Sequence, residues 1–153
     1  MLRKQNFPMI IEKKVGGKLL NCLKSLTKKE MSAFVLYVDS PFFNKNRMIV
    51  KLCRVLQATY PHFDDLFEKE LFDAVFEKEE FNYSKLRNLL SDLNKLFKNF
   101  LAISHFQNQK DVVDLFYIEQ LNERRLEEYL TKDIISFSKS LKKKFFQTEN
   151  DFA

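Results

Sequence analysis

The chain has 153 residues, a net charge of +5, 45% hydrophobic and 31% charged residues; that balance suits one globular domain, or one with a small appendage, and excludes a disordered chain. Glycine is confined to Gly16 and Gly17 and proline to Pro8, Pro41 and Pro61, too few turn formers for a β-rich fold of this length, so an all-α class is expected. No run approaches the roughly 18 consecutive apolar residues of a membrane-spanning helix, and the first twelve residues lack the long apolar run and small-residue cleavage site of a secretory signal.

Periodicity predicts five or six helices. Leu19, Leu20, Leu23 and Leu26 form a short apolar stripe directly after the glycine pair. Thr27-Lys-Lys-Glu30 fits a capping box, in which the Thr hydroxyl and the Glu carboxylate satisfy orphan N–H groups reciprocally. The helix it opens carries Met31, Phe34, Val35 and Val38 on one side and stops at Ser40-Pro41, because the residue before proline is pushed out of the α region. Asn44 is the expected N-cap of the next helix, whose buried face is Ile49, Leu52, Cys53 and Leu56 and whose end is Tyr60-Pro61. Glu68 to Phe76 reads as a short helix with Leu71, Phe72, Val75 and Phe76 apolar. After a polar connection, Leu86, Leu90, Leu93, Phe97 and Phe100 define one face of a long helix, widened by Leu89 and Leu96; it is expected at the centre of the fold. The pattern resumes with Val112, Leu115, Phe116 and Leu121, and a last helix carries Leu126, Leu130, Ile134, Phe137, Leu141 and Phe145. These two read as an antiparallel hairpin. The chain then ends without a helix-stop signal, which fits a piece of a longer protein.

The expected architecture is therefore an orthogonal helical bundle, with a helix-turn-helix-like region at 67–103, followed by an antiparallel helical hairpin. Residues 1–17 are expected to be a flexible N-terminal segment, 18–106 the bundle, and 107–153 the hairpin that starts a longer helical array. Seventeen Phe and no Trp imply a core of Phe and Leu, although an AT-rich genome explains the Phe, Lys and Asn content equally well.

Charge is segregated along the chain. Residues 1–62 hold twelve Lys/Arg against three Asp/Glu, a net of +9; residues 63–83 hold two against eight, a net of −6. Arg47, Lys51 and Arg54 share the polar face of their helix at i, i+4 and i+7, and with Lys45 they suit phosphates or an acidic partner. The bland alternative is a solvated face, and the acidic stretch 63–83 is equally able to lie over it. On the long helix, Lys85, Arg87, Asn88, Ser91, Asn94, Lys95 and Lys98 form a wet face suited to backbone or base-edge contacts. The run from Leu71 to Leu96 resembles, in outline, the helix-turn-helix of winged-helix response-regulator output domains, but nothing after Phe100 reads as a wing. Lys142-Lys-Lys-Phe-Phe146 is either a membrane-surface or nucleic-acid contact or a set of last-turn lysines complementing the helix dipole.

Catalytic chemistry lacks its parts. Cys22, Cys53, His62 and His105 are the soft ligands, and none of their separations matches paired zinc spacings. No glycine-rich phosphate loop exists, and Glu79–Glu80 and Glu127–Glu128 are adjacent residues on wet surfaces with no apolar pocket to split their pKa values. The expectation is a non-enzyme with no cofactor and no metal. Both cysteines fall on apolar faces, which fits two buried thiols in a reducing, cytoplasmic compartment.

Ser40-Pro-Phe-Phe-Asn-Lys-Asn46, preceded by the Leu26–Glu30 helix start and followed by Leu86-Arg-Asn-Leu-Leu-Ser-Asp-Leu93, resembles a signature of uncharacterised helical proteins of Bacteroidota over roughly residues 19–146. Physically, Pro41 breaks one helix, Phe42 and Phe43 are expected to plug the corner, and Asn44 caps the next. The resemblance implies an all-helical fold and carries no activity. The function expected is a helical protein–protein interaction or scaffold module; the alternative is a nucleic-acid-binding regulator using 67–103.

Overall fold

The computed structural model describes residues 13–151 and is all-α: α1 (Lys18–Lys24), α2 (Lys28–Asp39), α3 (Arg47–Thr59), α4 (Glu68–Phe76), α5 (Tyr83–Asn108), α6 (Lys110–Glu123) and α7 (Glu127–Asp151). The seven coincide with the seven apolar stripes read along the sequence, one more than the five or six helices counted from them. No strand forms among the described residues; the β pairing there is an isolated antiparallel bridge between Lys14 and Phe67. The chain divides into two compact units, one ending at Phe100 and one beginning at Leu101.

In the first unit local chemistry starts each helix and a shared Phe/Leu core holds them. Gly17, before α1, has φ 119°, a conformation only glycine adopts readily. The Thr27 box is formed: Glu30 N donates to Thr27 Oγ1 at 3.2 Å and Thr27 N to Glu30 Oε2 at 2.7 Å. Glu30 consequently sits below the usual carboxylate range, held there by the Thr27 backbone N–H and then by its hydroxyl. Ser40 is extended before Pro41, as the pre-proline clash requires. The apolar stripes of α1 to α4 all point into one cluster, in which the Phe34 ring, fully buried, meets Phe97 edge-on and Phe100 at a tilt, both at 5.3 Å. Leu86, Leu89, Leu93, Phe97 and Phe100 of α5 are buried there, with Leu90 and Leu96 half-buried at its margin.

Three local expectations need correction. The cap of α3 is Asn46, whose side chain accepts from Met48 N at 2.9 Å. Asn44 instead organises the turn, donating from Nδ2 to the Val38 carbonyl (2.9 Å) and accepting from Asn46 N (2.9 Å); a cap must directly precede the helix, and Asn44 stands two residues too early. Phe42 and Phe43 do not plug the corner. Phe42 is 87% exposed, and Phe43 stacks on Tyr37 at 4.2 Å on the outside of the unit, because the Asn44 hydrogen bonds already close the turn from within. Of the segment expected to be flexible, residues 1–12 lie outside the described residues, but 13–17 are held. Val15 N donates to Leu66 O and Glu68 N to Lys13 O, each at 2.8 Å, and the Val15 side chain is buried.

In the second unit α6 and α7 pack against each other. Their connection is a Schellman-type cap: Leu126 N reaches Leu121 O at 3.0 Å and Arg125 N reaches Asn122 O at 2.9 Å, with Arg125 left-handed at φ 55°. Lys144 Nζ lies 2.5 Å from Asp111 Oδ2, tying the start of α6 to a late turn of α7, and Phe106 packs on Phe116 at 5.6 Å. Because α7 continues to Asp151, Lys142, Lys143 and Lys144 lie in the body of the helix, not in its last turn, so they do not complement its dipole.

Candidate partner-binding surfaces

The α3 face forms as its spacing dictates, with Arg47 and Arg54 exposed and Lys51 half-buried opposite the buried Ile49, Leu52, Cys53 and Leu56. Its charge is largely answered from within. Asp39, at the end of α2, takes Arg47 Nη1 on one oxygen at 3.1 Å and Arg54 Nη2 on the other at 2.8 Å, and Lys51 pairs with Glu77. Lys45, in the turn, has no ion-pair partner among the described residues.

On α5 the seven candidates separate. Lys85 pairs with Glu79 and lies over the Phe76 ring, 4.6 Å from its centre; Lys95 pairs with Asp92 at 2.8 Å. Arg87, Ser91 and Asn94 line one wall of a groove of about 500 Å³, whose other wall is Val15 to Leu20 and whose floor includes Leu86 and Leu90. Asn88 and Lys98 are exposed and outside it. Arg87, Lys98 and, across the groove, Lys18 have no ion-pair partner among the described residues.

The acidic stretch 63–83 supplies much of the internal counter-charge. Asp64 lies 2.5 Å from Lys24, Asp65 3.2 Å from Lys14 and Glu68 3.4 Å from Lys13, besides the pairs of Glu77 and Glu79. The Lys24 ammonium bonded to Asp64 and the Lys51 ammonium bonded to Glu77 hold both carboxyls below their ordinary range. Such exposed pairs stabilise little individually, but anions binding at these lysines must displace a carboxylate that is already there.

What the patterns missed is exposed apolar surface. Leu36 is 72% exposed and Phe42 87%; Leu36 stands off the Met31/Phe34/Val35/Val38 stripe, which was its available signal. Among the described residues of the second unit Leu121 is the one fully buried hydrophobic residue, while Leu115, Phe116, Tyr117, Tyr129, Ile134, Ile135, Phe145 and Phe146 all face solvent and no α7 side chain described is buried. A cleft of about 180 Å³ between α6 and α7 is lined by Lys110, Asp114, Asp133, Ser136 and Ser140 around Phe137.

The thiols are free. Burial pushes the Cys53 thiol up to about 12, against the opposing pull of Arg54, while Cys22 is half-buried. His105 Nε2 is 2.7 Å from Gln109 Nε2. No cluster of three or more His, Cys, Asp or Glu with metal-binding geometry occurs among the described residues, and no helix there is long and apolar enough to cross a membrane. Neither a family model, nor a curated protein, nor a solved structure matches the chain.

Proposed function

We propose that this chain is a non-enzymatic helical module that docks other proteins, with the α6–α7 pair as its main contact surface and the cytoplasm as its location. The observation that carries this reading is the wet apolar surface of α6 and α7. A 25-residue helix with no fully buried side chain among those described keeps Tyr129, Ile134, Ile135, Phe145 and Phe146 largely in water, where each costs free energy that a packed neighbour would recover. Isolated helical pairs do not hold such surfaces without a further layer. The turn at 40–46 and the leucine run at 86–93 support placing the chain with the helical proteins of Bacteroidota. The test is light scattering and hydrophobic-dye binding on the full chain and on the Ile134→Lys/Phe145→Lys double variant. Dye binding or association that the double variant loses, with its helical circular dichroism unchanged, supports the reading. A monodisperse chain that binds no dye leaves it without a basis.

A second reading, nucleic-acid binding through α5, is favoured by one observation: Arg87, Ser91 and Lys98 stand on one exposed side of the helix with both cations unpaired among the described residues. It predicts a mobility shift at low salt that falls steeply as salt rises; no shift at low salt removes it.

A further inference from the structure

We propose that the corner between α2 and α3 is a second docking surface, built to take an acidic amphipathic helix of a partner protein. The inference extends the interaction-module reading from the second unit to the first.

The corner is a rigid display of apolar groups. Phe43 N and Asn44 N both donate to Ser40 O, at 3.1 and 3.0 Å, and Asn44 and Asn46 then bond the backbone on either side. This network holds Phe42 outward, edge-on to Phe43 at 4.9 Å, with Phe43 stacked on Tyr37. Leu36 adds a second exposed apolar side chain in the last turns of α2. An aromatic residue held in place by its backbone loses little freedom when it is buried, which is how interface anchors work.

The charges along α2 and in the turn choose the partner, Lys28 and Lys29 from the first turn of the helix and Lys45 from the corner itself. Lys29, Ala33 and Leu36 follow one another at i, i+4 and i+7 along the exposed side of α2, and Lys45 stands in the turn itself. Lys28, Lys29 and Lys45 have no ion-pair partner among the described residues. The nearby carboxylates are occupied: Asp39 serves both Arg47 and Arg54, and Glu30 serves Thr27. What the surface lacks is carboxylate next to an apolar stripe, and an acidic amphipathic helix supplies both. A lipid surface fits less well. Interfacial binding uses an apolar face running the length of a helix, whereas here the exposed apolar side chains are Leu36 and the aromatic pair of the turn.

The experiment titrates the full chain with three labelled amphipathic helical peptides of identical Leu/Phe face, whose polar faces carry Glu, Gln or Lys, and with phosphatidylserine–phosphatidylcholine vesicles. The Glu-faced peptide should bind at least about tenfold more tightly than the Gln-faced one and weaken with salt. Phe42→Ala should lose on the order of 30-fold in affinity, a typical anchor effect, and Lys29→Gln/Lys45→Gln should abolish the preference for Glu over Gln. Equal affinity for the three peptides, binding untouched by Phe42→Ala, or Phe42-dependent vesicle binding without peptide binding each overturns the proposal. Phe42 and the two lysines are exposed, so these variants leave the core intact, and Leu36→Gln provides a second apolar probe. The Ile134→Lys/Phe145→Lys variant should bind the Glu-faced peptide normally, which separates failure here from failure of the α6–α7 surface.

Discussion

Arg54 and Asp39 face each other across the α2–α3 corner, Nη2 to Oδ2 at 2.8 Å, and the second oxygen of the same carboxylate holds Arg47. One acid therefore restrains two of the three cations that the α3 spacing places on a common face. Asp39→Asn should free both guanidinium groups and raise the salt needed to elute the chain from heparin. The charge-matched control is Asp65→Asn, which frees only Lys14. Equal elution of the two variants would mean that Arg47 and Arg54 do not form an anion-binding face.

Phe34 is the side chain on which the first unit closes, fully buried against Phe97 and Phe100. Phe34→Ala removes both ring contacts and leaves a cavity, and should cost about 3–5 kcal/mol in denaturant unfolding. Phe42→Ala, with the same chemistry at an exposed position, should stay within about 0.5 kcal/mol of the parent. A comparable loss at both positions would refute the assignment of Phe42 to the outside.

Cys53 makes stability depend on alkaline pH. Its thiol is raised from 9.0 to about 12 in the folded chain, so its contribution is fully present below pH 9 and lost as pH rises toward 12. Between these values the unfolded chain has released a proton that the folded chain keeps, which lowers stability by about 1.4 kcal/mol per pH unit. Cys53→Ala should be less stable at neutral pH yet show a shallower decline above pH 9. At pH 8 the native chain should react with a thiol reagent at Cys22 far faster than at Cys53; equal rates would contradict the burial.

Arg125 closes the α6–α7 turn in a left-handed conformation, φ 55°, that costs a non-glycine residue about 1 kcal/mol. Arg125→Gly should therefore stabilise the chain by up to about 1 kcal/mol in thermal unfolding monitored by circular dichroism. A destabilisation of that size would show that the Arg125 side chain makes a contact worth more than the strain.

The residues themselves announced the helices wherever local chemistry decides. The Thr27–Glu30 box, the Ser40-Pro41 stop, the Glu68–Phe76 helix and the four-three spacing of Leu86 to Phe100 all depend on neighbours within one or two turns, and each formed where it was expected. The α3 cap slipped by two residues because Asn44 and Asn46 are equally good caps; which one precedes the first helical turn depended on Asn44 reaching the Val38 carbonyl across the corner. The candidate surfaces were harder to read, since periodicity tells which side of a helix is polar and not what lies opposite. Only the folded chain brought Glu77 to Lys51, Asp64 to Lys24 and Asp39 to both arginines, turning much of the apparent basic patch into an internally neutralised surface. Exposed apolar residues are invisible for the same reason. Ile134 and Phe145 of the α7 stripe look like core residues until packing, a long-range property, leaves them exposed.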